Sequence, residues 1–263
     1  MGMPHRVERT NTQDRGGLFH SFPDEEPVMS SRKIAAATLL SAGLLMAGNV
    51  AASEVSGDIT VVSDYLFRGV TQTDEKPALQ GGVTWTHDSG FYVGAWGSSI
   101  SWLSDSDPDV SSQVELDGFL GYAGSFGESD FGYDVGVNYY WYPGSYPSGF
   151  DKADTTEVYV GLSWKFLSAK YWYAVTDLFG IPDSDGSTNL DLSASLEFAD
   201  GWSGSAAVGK QWVKGVGGTG TYAFWSVGVD KSFDSGFGIG LSYNDNDLIG
   251  PDETFVLSLS KSF

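Results

Sequence analysis

Asp58, Asp64, Glu115, Asp117, Asp134, Glu157, Asp191 and Glu197 each fall in a stretch where polar and apolar residues alternate, and each takes the polar parity. Lys165 and Lys170 share that parity, and Arg68 stands where the first such stretch meets a polar segment. A period of two puts alternate side chains on one face of an extended chain. These groups therefore belong to one common, mainly acidic face. If that face lines a hydrated pore, it favours cations over anions. If the acids instead pair with the few bases, they fill and plug the interior. Arg68 has two readings of its own. It forms an ion pair with Asp64 or Glu115 and shapes a constriction, or it anchors at an interface.

Other chemistry has less support. His87 is the one histidine after residue 52, and Ser89 is two places away. Two residues across a tight turn are poorly placed for proton transfer, and a zinc site needs more His or Cys ligands. Gly215-Val216-Gly217-Gly218-Thr219-Gly220 is not followed by a helix that could present its N-terminus to a phosphate, so it reads as an outer loop. Asp105, Asp107 and Asp109, with Asp245 and Asp247, lack the rest of a calcium loop and read as solvated acids. No catalytic group, cofactor or metal is expected. The net charge of −20 also argues against nucleic acid as a partner.

The elements that must hold this acidic face are strands. Phe255, Leu257, Leu259 and Phe263 alternate with Thr254, Val256, Ser258, Ser260 and Ser262. The same pattern recurs near 131–141, 157–166, 189–198 and 236–243, with weaker segments between, for about twelve strands in all. Connections alternate between tight ones, such as Asp200-Gly201 and Asp234-Ser235-Gly236, and long polar ones near 68–77, 100–112, 143–155, 178–188, 213–221 and 244–253. Aromatic residues cluster at strand ends. Short turns, long loops and aromatic girdles describe an all-β transmembrane antiparallel up-and-down β-barrel of about 12 strands.

The N-terminal region reads differently. Residues 1–28 are polar and fit a misassigned start or a disordered extension, with Met29 as the alternative first residue. Arg32 and Lys33 precede an apolar run from Ile34 to Met46, and Val50-Ala51-Ala52 follows. A basic head, a short apolar core and small residues at the cut make 29–52 a signal peptide cleaved near Ala52, leaving 53–263 as the barrel. The leader region carries five bases and five acids, so the exported chain keeps the full −20.

Two stretches carry a family resemblance. One runs Ser56-Gly57-Asp58-Ile59-Thr60-Val61-Val62-Ser63-Asp64-Tyr65-Leu66-Phe67-Arg68-Gly69-Val70-Thr71-Gln72-Thr73. The other is Pro77-Ala78-Leu79-Gln80-Gly81-Gly82-Val83, leading into Phe91-Tyr92-Val93-Gly94-Ala95-Trp96-Gly97-Ser98. They resemble the TorF-type porin family of proteobacteria, also called Gcw_chp. Val114-Glu115-Leu116-Asp117 and the terminal Leu257 to Phe263 are similar too. The resemblance implies an outer-membrane barrel with a pore, and no particular substrate. Phe255, Leu257, Leu259 and Phe263 also resemble the C-terminal signal read by the barrel-assembly machinery. Lys261 departs from the usual apolar residue and is expected to snorkel at the periplasmic interface.

Together these features predict a Gram-negative outer-membrane porin that passes small hydrophilic solutes by diffusion and prefers cations. Its partners are outer-membrane lipid, lipopolysaccharide and the assembly machinery. Glu115 and Asp117 are expected to weigh most in selectivity, and loop residues Asp105 and Asp107 less. A structural or interaction barrel with a plugged lumen is the alternative.

Overall fold

The computed structural model describes residues 53–215, 220–248 and 253–263. The expected extension over 1–28, the signal peptide over 29–52 and most of the glycine-rich loop lie outside the described residues.

Twelve strands close into one antiparallel barrel. In chain order they are β1 (Glu54–Val62), β4 (Ala78–Thr86), β5 (Phe91–Ser99), β6 (Val114–Ser125), β7 (Phe131–Trp141), β8 (Thr155–Trp164), β9 (Leu167–Ala174), β10 (Thr188–Ala199), β11 (Trp202–Trp212), β12 (Tyr222–Ser232), β13 (Phe237–Asn246) and β14 (Thr254–Ser262). Each strand pairs with its sequence neighbour. The seam joins β1 to β14 with Asp58 opposite Ser262 and Val62 opposite Ser258. Two further strands, β2 (Leu66–Phe67) and β3 (Val70–Thr71), form a hairpin outside the barrel sheet. A short helix, α1 (Trp102–Ser106), sits in the connection between β5 and β6.

The parity read from sequence holds on strand after strand. Val158, Val160 and Leu162 of β8 are exposed, while Glu157, Tyr159 and Gly161, which alternate with them, are buried. An exterior of this kind is stable only where something apolar covers it, and closure leaves no free strand edge. Rings collect near both ends of the strands. Trp85 meets Phe91 at the short-turn rim and Trp225 meets Tyr243 toward the other, with ring centroids 6.3 and 5.4 Å apart.

The five turns that join β4 to β5, β6 to β7, β8 to β9, β10 to β11 and β12 to β13 are short and share one rim. Long connections occupy the other rim. The turn chemistry is local: Gly201 and Gly236 adopt φ of +64° and +80°, which favours glycine. Lys165 corrects an expectation. Instead of continuing the inward face of β8, it lies in the β8–β9 turn at φ +55°, exposed, with Nζ 3.8 Å from Asp130 of the neighbouring turn. The strand ends at Trp164, so the parity that would have aimed Lys165 inward ends there too.

The last strand is held at its end as well as along its length. The Phe263 N–H donates to the Gly57 carbonyl and the Gly57 N–H to the Phe263 carbonyl, both at 3.0 Å. A Cβ on Gly57 would stand 2.8 Å from the Phe263 ring, so glycine makes room for it. Phe255, Leu257, Leu259 and Phe263 all face outward. Lys261 bends back to donate to the Ser235 carbonyl at 3.0 Å. Deleting Phe263 removes both seam hydrogen bonds and the ring. The expected outcome is a marked fall in folded protein recovered from the outer membrane, measured by membrane fractionation. Normal levels would show that the terminal residue is dispensable for closure.

Candidate functional site

The interior is divided by the hairpin. After Val62 the chain does not continue outward as a loop but turns into the barrel. Asp64 braces the base of this excursion. Its Oδ1 accepts hydrogen bonds from the Thr71 and Thr73 hydroxyls at 2.6 and 2.9 Å. The Thr73 hydroxyl oxygen also accepts from the Tyr65 N–H at 3.1 Å, and the Gln72 N–H donates to the Tyr65 carbonyl at 2.7 Å. The tip is Arg68-Gly69, with φ of +49° and +77°. Positive φ at both central residues is the geometry of a tight two-residue hairpin turn. Arginine in that region costs on the order of 1–2 kcal/mol, which its contacts must offset.

Those contacts lie on the far wall. The Arg68 guanidinium donates to both oxygens of Glu157 on β8, at 2.6 and 3.1 Å, and to Gln211 Oε1 on β11 at 2.7 Å. It also lies over the rings of Phe67 and of Trp172 on β9, 4.7 and 5.6 Å from their centroids. Asn246 of β13 donates to the Gly69 carbonyl at 2.8 Å. A side chain at position 69 could not fit, because its Cβ would stand 2.6 Å from Phe224 Cβ on β12. The hairpin leaves the wall between β1 and β4 and ends against β8, β9 and β11 to β13. It therefore crosses the lumen.

Between the hairpin and the β4–β8 wall the interior is packed. Tyr65, Leu66, Ile100, Leu103, Tyr140 and Tyr142 belong to one apolar cluster, into which α1 buries Leu103. Phe67 meets Phe179 and Tyr140 edge-on, at 5.4 and 5.8 Å. Burying a side chain such as Leu66 contributes about 1.5–3 kcal/mol, so the hairpin is a fixed part of the interior. Burial pushes the Tyr65 phenol well above its usual range, and the Glu115 charge adds to this. Tyr65 thus remains a donor, to Glu115 Oε1 at 3.2 Å. Lower in the same half, Lys170 of β9 pairs with Asp134 of β7 at 2.9 Å and lies 4.2 Å from the centre of the Tyr159 ring. Tyr92 donates to the same Asp134 at 2.6 Å.

The carboxylates expected on one face are therefore in different situations. Glu157 and Asp134 are buried and paired with bases. Glu115 and Asp117 are buried, 1% and 4% exposed, beneath the hairpin and without a basic partner; Asn138 donates to Asp117 at 3.2 Å, and Asp117 Oδ1 has no partner. Asp191 is half-buried and accepts from Asn189 and from the Trp172 indole at 2.7 and 3.1 Å. Asp58 is half-buried on β1. Glu197 is exposed near the short-turn rim, where its carboxylate accepts from the Gly201 N–H at 3.1 Å. Asp64 is a brace in the hairpin base, not a strand residue. Arg68 pairs with neither Asp64 nor Glu115, the two partners expected, and it is no interfacial anchor. The sequence reading missed Asp230, which faces inward on β12, because that strand's pattern is weak; parity from Ser226 and Gly228 would have found it. His87 and Ser89 touch at 2.9 Å in an exposed turn.

A twelve-strand closed barrel is joined here to an inward hairpin built from Ser63 to Thr73. The family model described as "Bacterial protein of unknown function (Gcw_chp)" matches residues 46–260, which contain the hairpin and all of the barrel but the end of β14. The chain belongs to the Gcw_chp family. No curated protein matches it in sequence. Among solved structures, a KdgM porin is similar with a TM-score of 0.51 at 9% identity, covering 79% of this chain and 98% of that one. An outer membrane channel from Pseudomonas putida F1 is similar with a TM-score of 0.47 at 14% identity, covering 81% and 97%. At such identities the likeness is one of fold alone.

The Arg68–Glu157 pair can be tested by unfolding. Leaving one member of a buried pair uncompensated costs about 3–5 kcal/mol, whereas replacing both by apolar residues is often nearly neutral. Arg68→Met and Glu157→Leu should each lower the unfolding midpoint of the detergent-solubilised barrel, and the double variant should recover most of the loss. Additive losses in the double variant would show that the two charges are not coupled.

Proposed function

We propose that this member of the Gcw_chp family is an outer-membrane channel that passes small hydrophilic solutes by diffusion and prefers cations. The observation that carries this reading is the charge balance of the inward face. The inward bases among the described residues, Arg68 and Lys170, are each held by a carboxylate. Asp58, Asp191 and Asp230 face inward, partly accessible to water, without a basic partner within 4.0 Å among the described residues. Unbalanced acids between low-dielectric walls hold a negative potential that attracts cations. The fold shared with the KdgM porin and the TorF-type porin resemblance support the same reading. In it, the apolar exterior meets outer-membrane lipid and lipopolysaccharide, the segment before Ser53 directs export, and Phe255, Leu257, Leu259 and Phe263 present the strand to the assembly machinery. No chemical step is needed.

A second reading has its own support: the hairpin and its apolar cluster fill the β4–β8 half of the interior. A barrel filled throughout would be a structural or interaction protein. Planar-bilayer recording separates the two. The expected result is discrete conductance steps and a reversal potential in a potassium chloride gradient that reports potassium over chloride. The preference should decline toward unity as salt rises, because the screening length shortens from about 8 Å at physiological salt to 3 Å at 1 M. A folded barrel that gives no steps and no solute flux would favour the plugged reading. An anion-selective pore would reverse the charge argument.

A further inference from the structure

The inward residues differ sharply in their access to water. On β6 to β9, Glu115, Asp117, Asp134, Asn138, Glu157 and Trp172 are all buried. On β12 to β14 the inward positions toward the short turns are small and polar, and Ser226, Asp230, Ser242, Ser258 and Ser260 are all partly accessible, as is Asp58 on the adjoining β1; toward the long loops Tyr222, Phe224 and Val256 face inward, beside accessible Asn244 and Thr254. The seam and its neighbours thus form a hydroxyl-lined strip that follows the wall, away from the packed half.

The strip has open valences. Asp58 accepts one weak hydrogen bond, from Thr60 at 3.3 Å, and Asp230 has no ion-pair partner. The lysines on these strands do not enter. Lys231 and Lys261 turn to carbonyls of the short-turn rim, at Asp200 and Ser235, 2.7 and 3.0 Å away. Ser205 of β11, which borders the strip, is 9% exposed, and its hydroxyl has no hydrogen-bond partner. That hydroxyl lies directly beside Gly228 of β12, where a Cβ would stand 2.8 Å from it. A buried hydroxyl without a partner is costly unless something passing or bound satisfies it.

We infer that solutes cross along this β12–β14 and β1 strip, and that Asp58 and Asp230 select small organic cations that donate hydrogen bonds, protonated amino alcohols being the type. The inference rests on the channel reading above. Carboxylates only accept hydrogen bonds, and an ammonium N–H meets them with both charge and donor. The serine hydroxyls accept and donate, so they suit a solute that also carries an alcohol. A quaternary ammonium offers the same charge without donors. An anion meets no free base along the strip among the described residues.

The chain has no cysteine, so single cysteines report access cleanly. In reconstituted protein, Ser242→Cys and Ser258→Cys should react with a trimethylammonium methanethiosulfonate and lose most of their current. Ser98→Cys, in the packed half, should not react. Reversal potentials then test selection. Ethanolammonium should permeate better than tetramethylammonium, and both better than chloride. Asp58→Asn and Asp230→Asn should each lower the cation-to-chloride ratio roughly threefold, the effect of one unit charge about 6 Å away in water. A wild-type barrel without conductance overturns the channel reading and this inference with it. A conducting, cation-selective barrel in which Ser98→Cys is labelled and the strip cysteines are not, or in which both Asn variants behave as wild type, overturns the inference and leaves the channel reading standing. Equal permeation of the two ammonium ions overturns the part played by hydrogen-bond donation.

Discussion

A guanidinium enclosed in a barrel needs an opposite charge within reach, and the interior of this chain is arranged around how Arg68 finds one. Glu157 is fully buried and meets the fork of Arg68 with both oxygens. The pair closes a contact between residues 89 apart in sequence, and the bond to Gln211 one between residues 143 apart. Because the arginine sits at the tip of a hairpin rooted beside β1, this interaction fixes where the hairpin lies. The hairpin in turn fixes which inward residues are packed and which remain partly accessible.

Much of the fold was legible because a barrel in lipid repeats one rule. Every spanning strand shows one face to hydrocarbon and the other to the interior, so period two survives along 131–141, 155–164 and 237–246 with little interference from local packing. Loop lengths added the direction of each strand. The hairpin was not legible. Its strands are two residues each, too short for any period to show, and its partners are on the far wall. Parity was carried past Val62 to Asp64 and past Trp164 to Lys165, and in both cases the strand had already ended. Parity also assigns a face and not a height. It placed Glu115 and Glu157 on the interior without showing that the register of the sheet brings the second, and not the first, to Arg68.

The segment with the most specific family resemblance turns out to have a structural task that its composition does not announce. Asp64 crosslinks the hairpin base, Tyr65 and Leu66 join the apolar cluster, Arg68 carries the charge and Gly69 allows the close approach to Phe224. Four different physical requirements fall on consecutive or near-consecutive residues. A change of type at any of these positions would remove one of those contacts.

The path of the chain also decides what encloses what. The hairpin is threaded early, between the first two barrel strands, yet each of its tip contacts belongs to β8 or later. Those strands supply Arg68 with its counter-charge and Gly69 with its packing. The closed sheet surrounds the hairpin, and the pairing of β14 with β1 completes the enclosure. The hairpin is to the barrel what a mandrel is to a wound sheet: the part around which the wall is wrapped and which the seam encloses.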